Sequence, residues 1–223
     1  MRATGYLHAL GLVRRTYART GLPTRLHAVG RFLTCPFLPV LERLPPGARV
    51  LDLGSGHGTF ARLAVERGAA LVVAADPDAR KAFAAYRHRR VRFVVADAGA
   101  IGGEFDAVTL FDVLYRVPVT EWDALLAAAF ARLRPGGLLL LKEIDPAHRW
   151  KGRWNRTQER VADALGMTLG DAFSYETREQ MTARLAGHGF AEIEAHDLGR
   201  GYPHAHLLYV ARRPAGKGST PGS

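Results

Sequence analysis

The chain has one cysteine, four lysines and no apolar run near the roughly 20 residues of a membrane span. With Cys35 alone no disulfide framework forms, and a reducing cytoplasm is the expected compartment. Cys35 precedes Pro36 in an apolar stretch and reads as a buried structural thiol. A secretory leader is not expected either. The apolar part from Tyr6 to Val13 contains His8, and the main positive charge, Arg14 and Arg15, follows it. Internal repeats are absent. Formal net charge is +10, which admits nucleic acid or an anionic membrane surface as partner. Nearly all of that charge is arginine in a chain rich in alanine and glycine, a pattern coding bias also produces, so charge does not single out nucleic acid.

What is present is enough for a folded domain. A chain of 223 residues buries roughly 70–75% of its unfolded surface without a metal or disulfide staple. Residues 1–47 read as a helical cap. Tyr6, Leu10, Val13 and Tyr17 make one apolar face, and Leu22, Leu26, Val29 and Leu33 another. Each face either packs on the main domain or, among its arginines, meets a membrane surface. From Arg49 short apolar strands alternate with helices: RVLDL, LVVAAD, VRFVVAD, FDAVTLFD and LLLLKEI, with helices over Thr59–Arg67, Ala79–Tyr86 and Glu121–Leu133. That rhythm implies an α/β domain over 48–213, its parallel sheet covered on both faces. Thr177–Gln180 is a capping box that opens a helix. Phe190–Leu198 and His206–Arg212 then read as an antiparallel edge pair, because no helix separates them. Residues 214–223 are expected to be a disordered tail.

The informative stretch is VLDLGSGHG, Val50–Gly58. Three glycines in five positions at a strand-to-helix turn bring bare backbone close to a ligand, and the next helix aims its amides there. The spacing is GxGxG after Asp52, with Thr59 where a dinucleotide fingerprint has glycine, which argues against a nicotinamide or flavin enzyme. Asp76 ends the second strand 22 positions after Gly54, the reach at which an acid meets ribose hydroxyls. Ligands of open parallel sheets bind beyond the carboxyl ends of strands, so Asp52, Asp76, Asp97 and Asp112 are expected to line one rim. An acidic rim suits a ligand with an amino group and a positive centre.

In order, VLDLGSGHG, AADPD, VVADA, FDAVTLFDVLYRVP and LRPGGLLLLKE resemble the successive motifs of class I S-adenosylmethionine-dependent methyltransferases, over Leu44–Arg213. The resemblance implies a Rossmann-like, doubly wound sheet of order 3-2-1-4-5-7-6 with strand 7 antiparallel, and S-adenosylmethionine as methyl donor. It places Asp52, Gly54, Ser55, Gly56 and Gly58 around the methionine part, Asp76 on the ribose and Pro77 near the adenine. Asp97 and Ala98 would meet the adenine's amino edge, and Phe111 and Asp112 would lie beside the methyl group. Many small-molecule members carry histidines shortly after that last aspartate; here Tyr115 and Arg116 stand there.

On the acceptor side, Tyr115 and His204 are the candidate catalytic residues. Lys142, Glu143, Asp145, Trp150, Trp154 and Tyr202 are the candidate acceptor contacts. The tryptophans serve equally as a helix's packing stripe. His204 and His206 share a strand face, but no third ligand is evident and no metal is expected. A small-molecule or lipid-like acceptor is the leading expectation, with the basic cap as a site of peripheral contact at the inner membrane surface. A nucleic-acid methyltransferase and a non-catalytic cofactor-binding module are the alternatives. The fourth strand ends in DVLY, unlike the Asn/Asp-Pro-Pro-aromatic signature of many base-amine methylators, and no separate RNA-binding module fits the chain.

Overall fold

Strands rich in Val, Leu and Ala form the centre of the molecule. The computed structural model describes residues 3–81, 87–144 and 176–216. Three helices come first: α1 (Ala3–Thr16), α2 (Leu22–Thr34) and α3 (Phe37–Leu41). Then follow β1 (Arg49–Leu53), α4 (Thr59–Glu66), β2 (Leu71–Ala75), β3 (Val91–Val94) and β4 (Phe105–Phe111). The chain continues through α5 (Val119–Arg132), β5 (Leu133–Ile144), α6 (Arg178–Gly187), β6 (Ala191–Asp197) and β7 (His206–Arg212). The sheet order is β3-β2-β1-β4-β5-β7-β6, and β7 runs antiparallel to both its neighbours.

Side chains alternate between the two faces of each strand, and the core divides accordingly. Val50, Ala74, Phe111, Leu140 and Leu208 face α1–α4. Leu51, Val73, Leu139, Leu141 and Leu207 face α5 and α6. By the same period of two, Asp52, Asp76, Lys142 and His206 project to the side of α1–α4. That side is where the strand-end acids and the first three helices meet.

Several sequence-derived boundaries shift. β5 begins at Leu133, because Pro135-Gly136-Gly137 makes an irregular stretch of strand and not a stop. Gly136 has φ +78, its N–H donates to the Arg213 carbonyl at 2.8 Å, and Arg213 N–H returns to Gly137 at 2.9 Å. β3 ends at Val94, short of Asp97. Of the helix read over Ala79–Tyr86, the described part is a single 3-10 turn, Ala79–Lys81; residues 82–86 lie outside the described residues. The Thr177–Gln180 capping box is present, with reciprocal hydrogen bonds of 3.2 and 2.9 Å.

The first helices supply the main correction. Val13 on α1 and Tyr17 just after it are buried, with Tyr6 and Leu10 packed beside them. On α2 most of the expected apolar face is turned outward: Leu22, Leu26 and Leu33 are 63%, 64% and 45% exposed, while Val29 is half-buried against the core. The buried face is Ala28 and Phe32, continuing to Cys35. Arg31 lies within this stretch and reaches a buried acid on the sheet, which turns α2 the other way. No helix among the described residues is long and apolar enough to cross a membrane.

Candidate active site

The glycine turn after β1 is shaped by close approach. Gly54, Gly56 and Gly58 all have positive φ (+67, +55, +78). A Cβ on Gly54 would lie 2.5 Å from the Val113 side chain, so no other residue fits there. A Cβ on Gly56 would meet nothing within 4 Å, which marks open space above the turn. Gly58 leads into α4 in the left-handed conformation. From the opposite side Tyr17, just after α1, donates its hydroxyl to the His57 carbonyl, and its oxygen lies 3.3 Å from Thr59 Oγ1.

Asp52 sits under this turn, 2% exposed. Thr109 Oγ1 donates to its Oδ1 at 2.8 Å, while Oδ2 is buried without a partner among the described residues. Burial pushes its carboxyl up to about 7, and nearby Asp76 adds to the shift. An unpartnered buried carboxylate oxygen beside open space calls for a donor from a ligand. Asp76 is engaged on several sides. It accepts from Gly56 N and Asp78 N, each at 2.9 Å, and Lys81 Nζ bridges both its oxygens at 3.1 and 3.2 Å.

Asp112 directly follows β4 at φ +56, a strained backbone for a residue with a side chain. Its N–H donates to the Lys142 carbonyl at 2.9 Å. Its carboxylate takes the fully buried Lys142 ammonium on one oxygen and Arg31 Nη1 on the other, at 2.5 Å. Those two cations hold its carboxyl well below the usual range against the cost of burial. The neighbouring Glu143 points to the opposite face. Its Oε1 accepts from Val113 N and Leu114 N at 3.1 and 2.9 Å, so it fixes the turn that carries Tyr115. Burial, with Asp112 close by, pushes Glu143 up to about 8. Tyr115 is buried, and its hydroxyl accepts from Arg116 Nε at 2.8 Å.

Of the predicted acids, Asp52, Asp76 and Asp112 are buried, while Asp97 is exposed beyond the end of β3 with Ala98 half-buried. Pro77 is exposed and Ser55 half-buried. Phe111 is buried, its ring packed on Phe60 and Phe37 at 4.4 and 5.5 Å. The rim is less acidic than its sequence suggests, because Lys81, Lys142 and Arg31 neutralise two of the acids and burial raises a third.

Near the start of β7, His206 is buried and His204 and Tyr202 are half-buried, with rings 6.0 and 5.7 Å from His206. His206 Nε2 donates to the Thr34 carbonyl at 2.7 Å, and burial lowers its imidazole to about 3. Asp145, Trp150 and Trp154 lie outside the described residues. Sequence reasoning missed Tyr17, Arg31, Lys81 and Thr109. Only Arg31 left a signal: no acid precedes Glu42, so any ion pair of Arg31 had to be distant. Among the described residues no group of three His, Cys, Asp or Glu is placed to hold a metal ion. The cleft bordered by Asp123, Glu176, Arg184 and His188 lies on the other face, and its lining charges pair with one another.

A seven-stranded sheet in this order, with strand 7 reversed and a glycine turn after strand 1, defines the class I methyltransferase fold. The family described as "Methyltransferase domain" matches residues 26–195, and the chain belongs to that family. It is similar to an Agrobacterium fabrum ubiquinone biosynthesis O-methyltransferase: 34% identity over 113 residues, 48% of this chain and 45% of that protein. It is also similar to a Methylococcus capsulatus malonyl-[acyl-carrier protein] O-methyltransferase: 32% identity over 177 residues, 71% of this chain and 58% of that protein. The matches thus span about half the length of these curated relatives. Among solved structures, a Burkholderia thailandensis 1,6-didemethyltoxoflavin-N1-methyltransferase with bound S-adenosylhomocysteine has the same fold. It aligns with TM-score 0.65 and 19% identity, covering 96% of this chain and 92% of that one.

Proposed function

We propose that this chain is an S-adenosylmethionine-dependent methyltransferase with a small-molecule acceptor. The observation that carries the reading is Asp52 Oδ2, buried and unpartnered beneath a glycine turn with open space above Gly56. The ammonium of the cofactor's methionine part fits that oxygen. Asp76 would hold the ribose, with Lys81 giving way to its hydroxyls, and Asp97, Ala98 and Pro77 would border the adenine. The cofactor supplies a sulfonium methyl whose leaving thioether is neutral. The chain's own residues then have to bind, align and exclude water. Such alignment is worth on the order of 7–11 kcal/mol. Calorimetry with S-adenosylhomocysteine tests this: micromolar binding is expected, and Asp76→Ala should weaken it at least tenfold. No heat with folded protein, or an unaffected variant, sinks the reading.

Tyr115 and His204 are assigned to the acceptor side, with Tyr202 beside them. His204→Ala should depress turnover with little change in cofactor affinity. Turnover equal to wild type would remove His204.

A membrane surface is the proposed second partner. Leu7, Leu22, Leu26 and Leu33 are exposed on α1 and α2 among exposed Arg14, Arg15, Arg19 and Arg25, with no acid before Glu42. Apolar side chains within an all-basic helical surface suit an anionic bilayer. Co-sedimentation with phosphatidylglycerol vesicles at low salt is expected, and its loss in Leu22→Ser/Leu26→Ser checks it. Equal sedimentation with neutral phosphatidylcholine vesicles would overturn it.

A further inference from the structure

The buried charges beneath α2 do not balance. Asp112 carries one negative charge, and two cations contact it: Lys142, with no exposure, and Arg31. Glu143 serves the opposite face of the sheet and is held by backbone amides. Asp112 therefore matches only one of its two cations in direct contact beside the end of β4, where the methyl group is to be transferred; Asp52, the other buried acid near Arg31, makes no hydrogen bond to it. The Arg31 side chain is 29% exposed, and Asp112 is its only hydrogen-bond acceptor among the described residues. Its guanidinium has five N–H donors in a planar fork. Its remaining donors are unspent, and the ring of Phe37, 5.6 Å away, backs it. A planar fork carrying uncompensated charge matches a carboxylate, which takes two parallel N–H donors.

We infer that the methyl acceptor is a carboxylic acid whose carboxylate is held by Arg31; this rests on the methyltransferase reading above. One carboxylate oxygen forms the new O–CH3 bond as the C–S bond breaks, and that bond's electron pair stays on sulfur. Acceptor anion and donor cation give a neutral methyl ester and a neutral thioether. No proton moves, so no general base is required. Lys142 offsets the charge of Asp112, which otherwise would repel the incoming anion.

The test uses the full chain, methyl-tritiated S-adenosylmethionine and a deproteinised bacterial metabolite extract as the acceptor source. Methyl esters release labelled methanol in mild alkali, whereas ethers and N-methyl products keep their label. Most transferred label should become volatile after alkali. Arg31→Gln should lower transfer at least tenfold while S-adenosylhomocysteine affinity stays within about threefold. Should that variant melt below the assay temperature, Arg31→Lys takes its place, keeping the charge but losing the fork, with a fall of at least fivefold expected. Label in alkali-stable products overturns the inference, as does undiminished transfer by the Arg31 variant used. Absence of transfer with intact cofactor binding overturns it too. Absence of cofactor binding sinks the parent reading instead.

Discussion

Tyr17 donates its hydroxyl to the carbonyl oxygen of His57, joining the first helix to the glycine turn across 40 residues of sequence. The turn is thus held between α4 on one side and a helix from the N-terminal cap on the other. Tyr17 is buried, and burial pushes its phenol up to about 12, so the hydroxyl stays a donor at any working pH.

Tyr17→Phe removes only that hydroxyl. The His57 carbonyl then loses its donor while the apolar packing of the ring remains. A net loss of about 1 kcal/mol in urea denaturation is expected, the usual worth of one intramolecular hydrogen bond. Cofactor affinity should fall severalfold as well, because the turn that receives the ligand becomes less ordered. A stability loss with unchanged affinity would mean that α1 supports the fold without shaping the site.

Asp52 gives a proton-linked prediction. With its carboxyl pushed up to about 7, it is largely protonated at pH 6. An ammonium brought against Oδ2 favours the ionised form, so binding of S-adenosylhomocysteine should release a proton. At pH 6 roughly 0.5–1 proton per site is expected. Calorimetry in two buffers of different ionisation enthalpy reads this directly. Asp52→Asn should reduce the release to near zero, and an unchanged value would place the ammonium elsewhere.

Lys142 and Asp112 set a stability prediction. Lys142→Met leaves Asp112 buried with only the partly exposed Arg31, and breaking a buried pair costs about 3–5 kcal/mol. Adding Asp112→Asn removes the stranded charge and should recover part of the loss. Denaturant unfolding of the single and double variants checks both. A single variant costing under about 1 kcal/mol would show that Arg31 alone satisfies Asp112.

The parts of this site legible in the sequence are those fixed by local rules. Asp52 and Asp76 stand at strand ends beside a glycine turn, so order along the chain already puts them on one rim. The partners Arg31 and Thr109 are not local: they reach Asp112 and Asp52 across 81 and 57 residues. No periodicity reports such pairs. Apolar spacing alone leaves open whether Leu22, Leu26 and Leu33 face the domain or the solvent; the pairing of Arg31 with Asp112 turns them outward. The spacing of His204 and His206 suggests one strand face, but β7 begins at His206, which leaves His204 half-buried in the preceding loop and His206 inside.

Glu143 makes the stability of this protein depend on pH in a direction opposite to that of an ordinary paired carboxylate. Its usual value is 4.5 and its folded value is about 8, raised by burial and by Asp112. Between these values the folded state keeps a proton that the unfolded state has lost, so stability falls as pH rises through this window. The slope from one such proton is at most about 1.4 kcal/mol per pH unit. Asp52 acts in the same sense up to about 7, whereas His206, lowered to about 3, acts in the opposite sense below 6.5. The difference between wild type and Glu143→Gln cancels both and isolates Glu143. The amide oxygen still accepts from Val113 N and Leu114 N, and the proton is gone from the balance. The two proteins should therefore unfold alike at pH 5, and the variant should be the more stable at pH 8. Parallel stability curves across pH 5–8 would mean that Glu143 is already ionised in the fold, with Lys142 as its counter-charge.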